Sequence, residues 1–259
     1  MVRRGKLLTP LQRILIRHIF GLSAAMMLTL LGGNWVWLAS IVSVAITVST
    51  VARLLVHRSA RIIITRSLEP VLLVVFAQLY IGFLQQIFNI EIWQQAALLS
   101  GIFVVQFRYL LLQFRAQTAA IQTGFTALLI IITNTVLTLI MYQYAWSGFV
   151  VVLAAWLINY IIVHYWLERV GYHNSFLAGV WALVATEMIF ISSVSLVFYT
   201  IPSTQLVVSR TALFLSVIAY AWGSMLSLHA RRQLSKKLVI EYGMICAILL
   251  IILLIMNGV

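Results

Sequence analysis

The chain of 259 residues has no aspartate, a single cysteine, three prolines and only 8% charged residues. Each shortage excludes something. Without Asp there is no carboxylate cluster of the kind that holds Mg²⁺ in Asp-rich lipid transferases, and no Ser-His-Asp triad can be completed. Cys246 stands alone, so neither an intrachain disulfide nor a thiol metal site can form, and its place in an apolar run marks it as a packing residue. An average soluble domain is about one quarter charged, and a chain at 8% is not a water-soluble globular protein. No GxxxxGK[ST] loop occurs, and Trp222-Gly223-Ser224-Met225 lacks the second glycine of a nucleophile elbow.

What the chain has in abundance is hydrocarbon: 63% of its residues are hydrophobic, and its mean hydropathy is +1.08. Nine segments are long and apolar enough to cross a core about 30 Å thick at about 1.5 Å per residue. They run Ile14 to Gly32, Trp35 to Val56, Pro70 to Ile90, Ile92 to Leu112, Ile121 to Gln143, Trp146 to Leu167, Phe176 to Thr200, Val207 to Leu228 and Val239 to Met256. The first span is the least regular, because Arg17 and His18 lie within it. Gly32-Gly33-Asn34 and Pro202 supply turns, and Pro70 stands where a missing N–H is harmless, at the start of a helix. The expected architecture is an all-α polytopic membrane bundle of about nine transmembrane helices, a single integral domain over residues 1–259 with no soluble domain.

Charge orients it. There are 17 Lys and Arg against five acids, all Glu, for a formal +12. With the amino terminus inside, Arg3, Arg4, Lys6, Arg13, Arg17, Arg53, Arg58, Arg61, Arg66, Arg108, Arg115, Arg169, Arg231, Arg232, Lys236 and Lys237 all fall on the cytoplasmic side, and only Arg210 falls outside. That asymmetry predicts N-terminus in and C-terminus out. Trp35, Trp37, Trp93, Tyr142, Tyr144, Trp146 and Tyr199 cluster at the outer ends, where amphipathic rings favour the headgroup layer. The basic amino terminus reads as an uncleaved first helix, since no small-x-small cleavage site follows the apolar run. Anionic lipid at the cytoplasmic face is the expected partner of the basic loops; nucleic acid is not, for no compact basic domain exists to bind it. The expected location is the cell membrane.

About 110 positions separate the outer loops near Asn34 and Tyr144, and Gln78 and Glu187 are similarly offset. Two parallel four-helix units plus a final helix would give that offset, but the halves share little identity and chance spacing of membrane hairpins accounts for it better.

Glu187 is the most informative residue, about eleven positions into its span and so near mid-membrane. A carboxylate there costs at least about 2.5 kcal/mol and ordinarily faces a bundle interior, a partner or water. It is either a protonatable or ligand-binding group or a protonated acid bonded to a neighbouring helix. Gln78 lies at comparable depth and Asn134 somewhat outward, and either can donate to it if helices three, five and seven meet; each alone is also ordinary interhelical glue. Arg53, Gln106, Arg108, Asn159, His164, Glu168, His229 and Glu241 form a cytoplasmic-side polar set, either a vestibule or groups snorkelling to headgroups. The five histidines are dispersed with no HExxH pair, so no metal site and no cofactor is expected, and no catalytic set is selected.

Trp181 and Glu187, then Tyr220-Ala221-Trp222-Gly223, then His229, Lys237 and Glu241-Tyr242 give the carboxy-terminal third a resemblance to a family of uncharacterised bacterial multipass membrane proteins of unknown function. The resemblance covers roughly 80 residues and implies a membrane domain without implying an activity. The expected role is non-enzymatic, either a small transporter-like bundle with Glu187 at its polar centre or a subunit of a membrane assembly. The alternative is a membrane enzyme acting on a lipid or lipid-linked substrate at the cytoplasmic face, with His164, Glu168, His229 or Glu241 as acid or base.

Overall fold

The computed structural model describes residues 10–56, 58–88, 90–112, 119–143, 148–169, 171–172, 174–194, 197–201, 206–230 and 232–255. Arg3, Arg4, Lys6, Arg115, Tyr144, Trp146, Pro202 and Arg231, each used above to place a loop or a boundary, lie outside them. Among the described residues the chain forms α1 (Pro10–Leu30), α2 (Trp35–Leu54), α3 (Ala60–Phe88), α4 (Ile92–Leu112), α5 (Ala119–Gln143), α6 (Gly148–Arg169), α7 (Ser175–Val194), β1 (Phe198–Ile201), β2 (Leu206–Ser209), α8 (Arg210–Ala230) and α9 (Lys236–Ile255). Seven of these helices are each long and apolar enough to cross a membrane, the pattern of a multi-pass membrane protein.

Two boundaries differ from expectation. The third helix begins at Ala60, ten residues before Pro70, and carries that proline in its interior. The missing N–H leaves the carbonyl one turn earlier without its usual donor, yet the apolar stretch on both sides continues the helix. The seventh apolar run is also not one helix. It ends at Val194, and the residues beyond form an antiparallel hairpin in which Phe198 pairs with Ser209 and Ile201 with Leu206. The fold is therefore a helix bundle with one small β-hairpin. Val207 and Ser209 point inward, the Ser209 amide donates to Thr135 Oγ1 on α5 at 3.4 Å, and the Arg210 amide donates to the Val197 carbonyl at 3.0 Å. The hairpin thus launches α8 from the side of α5.

The chain divides into two compact units, Met1–Gln85 with Asn89–Leu110, and Gln86–Phe88 with Leu111–Val259. Each has one helix buried on most sides. In the first unit it is α3, 72% of whose spanning window is buried, against 22% for α1 and 39% for α2. In the second it is α5, at 67%. A helix surrounded by others can be apolar all round, which is why neither shows a polar face.

α2 meets its unit through Val36, Ala39, Ser40, Ser43, Thr47, Thr50 and Val51, a stripe at steps of three and four. The α1–α2 turn needs Gly32 and Gly33, whose φ angles of +72° and +55° suit a residue without Cβ. Many buried hydroxyls are satisfied within their own helices: Thr29 donates to Ala25 O, Ser40 to Val36 O, Thr138 to Asn134 O and Thr186 to Ala182 O, at 2.7 to 2.9 Å. Such groups hold no chemistry in reserve.

The second unit is cemented by tryptophan. Trp181 of α7 stacks on Trp222 of α8 at 5.5 Å, and Trp166 of α6 meets Trp222 at 6.4 Å. Gly223 makes this possible, since a Cβ there would run into the Trp166 ring, which is 2% exposed and has nowhere to go. Overpacking of this kind costs about 1–3 kcal/mol. Gly223→Val is expected to lower the unfolding temperature in detergent, with part of the loss recovered when Trp166→Phe is added; an unchanged unfolding temperature contradicts this packing.

Candidate functional site

The polar residues singled out from the sequence separate into groups. Asn134 and Asn159 face each other across α5 and α6, with each amide nitrogen donating to the other's oxygen at 3.2 and 2.9 Å and to its own helix, Ile130 O and Ala155 O, at 2.9 Å. The pair is closed on itself. Asn134 therefore does not turn to Glu187, and Gln78 belongs to the first unit, where its amide donates to Ser43 Oγ at 2.8 Å. Glu187 is exposed on α7 rather than enclosed in a bundle, because the helical turn that buries Ala185 and Ile189 carries position 187 to the opposite face.

The cytoplasmic-side set does not converge either. His164 and Glu168 pair along α6 at 3.4 Å, and Lys237 and Glu241 pair along α9 at 3.9 Å. No hydrogen bond or ion pair among the described residues joins the two pairs, and His229, Arg53 and Arg108 are exposed. His164 also stacks on Tyr160 at 5.4 Å, which continues to Trp156 at 5.5 Å, an aromatic ladder at four-residue spacing. Among the described residues no three His, Cys or Glu side chains gather as metal ligands.

A convergent polar cluster lies in the first unit, around Glu69. This carboxylate, 1% exposed, accepts a hydrogen bond from the Tyr109 hydroxyl of α4. Next to it the Pro70 carbonyl accepts from Gln106 Nε2 at 3.4 Å, and the same nitrogen reaches Thr47 Oγ1 of α2 at 3.2 Å. Gln106 also lies beside the ring of His18. His18 meets Thr50 Oγ1 through Nδ1 at 2.9 Å and stacks on Phe107 at 6.4 Å. All four helices of the unit contribute, and Gln78 with Ser43 extends the cluster along α3.

One of its buried atoms, Gln78 Oε1, has no hydrogen-bond partner among the described residues, whereas His18 and Gln106 interact through their side chains. Leaving a buried polar atom unmade costs roughly 1–3 kcal/mol. The arrangement is rich in oxygen acceptors and has two titratable side chains, Glu69 and His18; Gln106 meets His18 and the Pro70 carbonyl next to Glu69. Chemically each of the two can hold a proton.

Sequence reasoning missed Glu69 because Pro70 was taken to open the span, which puts residue 69 in the headgroup layer. The α2 stripe Ser40, Ser43, Thr47, Thr50, at steps of three, four and three, was the available signal that one helix face seeks hydrogen bonds from its neighbours. His18 points inward and Arg17 outward, which removes the irregularity of the first span.

No family model, no curated protein and no solved structure matches the chain. The side chains themselves carry the argument. Glu69→Gln preserves an acceptor for Tyr109, whereas Glu69→Leu removes the carboxylate that the Tyr109 hydroxyl donates to, and a lost buried hydrogen bond costs about 1–3 kcal/mol. Thermal unfolding in detergent is expected to show the Leu variant destabilised and the Gln variant close to the unsubstituted chain; equal stability of the two contradicts the contact.

Proposed function

We propose that the chain is a nine-span protein of the cell membrane, amino terminus in the cytosol and carboxyl terminus outside, that works as a small transporter-like bundle rather than an enzyme. Glu69 is its proton-carrying group, His18 and Gln106 extend the polar path, and Thr47, Thr50 and Tyr109 hold these side chains in register. The observation that carries this reading is the enclosed cluster of Glu69, Gln106 and His18 inside the unit of α1 to α4. A carboxylate and an imidazole buried in hydrocarbon each work against folding, and such groups ordinarily mark a functional site.

The orientation is supported by charge. Arg53, Arg58, Arg108, Arg232, Lys236 and Lys237 are exposed at or near helix ends, positioned for anionic headgroups on the cytoplasmic face. Trp35, Trp37, Trp93 and Tyr142 are exposed at the opposite ends, as an aromatic belt requires.

A second reading, as a subunit of a membrane assembly, is favoured by one observation, the exposure of Glu187 on α7. The two readings are compatible. In proteoliposomes with a potassium–valinomycin potential and an internal pH dye, the unsubstituted protein is expected to admit protons and Glu69→Gln to lose most of that flux. Equal flux from a folded Glu69→Gln variant contradicts the proposal. Reporter fusions after Lys237 and after Val259 are expected to report cytosol and exterior respectively; the reverse pattern contradicts the orientation.

A further inference from the structure

α9 packs against α8, but the two helices do not close on each other, and a groove of about 520 Å³ runs along their seam. Its α9 wall is Leu238, Glu241, Tyr242, Ile245, Cys246 and Leu249, one helix face by their spacing. The opposite wall is Ser216, Val217, Tyr220 and Ala221 of α8, with Ala127 of α5. Room exists there because Ala127, Ser216 and Ala221 are small. The Ser216 hydroxyl already donates to the Leu213 carbonyl at 2.8 Å, so the deep end of the groove asks for no polar partner.

The dimensions of the groove select what fits it. From Leu238 to Leu249 it extends roughly 16 Å at about 1.5 Å per residue, and one leaflet of a hydrocarbon core about 30 Å thick is about 15 Å deep. A volume of about 520 Å³ over that length is a channel about 6 Å wide. Hydrocarbon carbons rest about 4 Å from their neighbours, so a single acyl chain fits, whereas a helix about 10 Å across does not.

The mouth of the groove is cationic. At the Leu238 end, Lys237 pairs with Glu241 at 3.9 Å, which offsets the acid in the groove wall. Lys236, and Arg232 four residues earlier, are exposed and have no acidic partner among the described residues. We propose that the α8–α9 groove binds an anionic diacyl phospholipid of the cytoplasmic leaflet, with one acyl chain along Leu238 to Leu249 and the phosphate at Lys236 and Arg232. A negative headgroup is favoured over a zwitterionic one because these two cations lack a countercharge while Glu241 has one. The site rests on the nine-span reading, which puts Lys236 in the cytoplasmic headgroup layer. It is separate from the proton path, since its residues and Glu69 belong to different units.

Photolabelling of the full chain in phosphatidylcholine vesicles containing a minority of phosphatidylglycerol tests it. A diazirine is placed midway along one acyl chain of either lipid in turn, and the adducts are mapped by peptide mass spectrometry. The phosphatidylglycerol probe is expected to label residues 242–249 and 216–221 about tenfold or more above an equal amount of the phosphatidylcholine probe, as two unpaired cations near the surface imply. Arg232→Gln combined with Lys236→Gln, both at exposed positions, should bring the two probes to near equality. Val217→Phe, which puts a ring into the channel, should lower labelling by both several-fold. Equal labelling by the two probes in the unsubstituted chain, a preference that survives the double substitution, labelling indifferent to Val217→Phe, or a groove closed to both probes because another chain fills it would each overturn the site. Reporter fusions that put Lys237 outside would move the site to the other leaflet without altering these ratios, so the two claims fail separately.

Discussion

A polar side chain in hydrocarbon must find its hydrogen bonds within the protein, since lipid tails offer none. That constraint organises this chain more than hydrophobic patterning does. An apolar helix can lie against lipid or against another helix at similar cost, so apolar runs alone leave helix neighbours undetermined. The placement of each Asn, Gln, Glu and His decides which helices meet. His18 ties α1 to α2, Gln78 ties α3 to α2, Gln106 ties α4 to both, and Asn159 ties α6 to α5.

The two units use this constraint differently. Around α5 the asparagine pair is complete, with each amide giving and receiving, and the tryptophans of α6, α7 and α8 fill the remaining space. Such a closed network rigidifies. Around α3 the network includes a carboxylate and an imidazole, and Gln78 Oε1 has no partner among the described residues. A half-satisfied buried network works against stability, and this one lies in the unit that also carries a helix-interior proline.

Much of the architecture was readable in the sequence, and the failures have physical causes. Long apolar runs located the helices seen among the described residues, seven of which are long and apolar enough to cross a membrane, because length and hydropathy respond to the solvent and not to the neighbours. The boundary at Pro70 failed because proline both opens helices and, where flanking residues are apolar enough, is carried inside them. That one displacement hid Glu69. The hairpin Phe198–Ser209 failed because a short apolar run has no period long enough to separate strand from helix end. Depth was the readable coordinate for Glu187 and azimuth was not: an interior and an exposed position at the same height differ by a rotation of one or two residues, which depends on where α6 packs. Asn134 and Asn159 were recognisable individually as helix glue, whereas their mutual pairing required knowing that α5 and α6 are neighbours.

The central claim is that Glu69, enclosed among α1 to α4, gains and loses a proton while the protein stays folded. Infrared difference spectroscopy on membranes stepped between acidic and alkaline buffer reads the carboxylic C=O stretch directly. The account predicts a protonation band present in the unsubstituted protein and in Glu187→Gln, and missing from Glu69→Gln. A band unchanged by Glu69→Gln would contradict it.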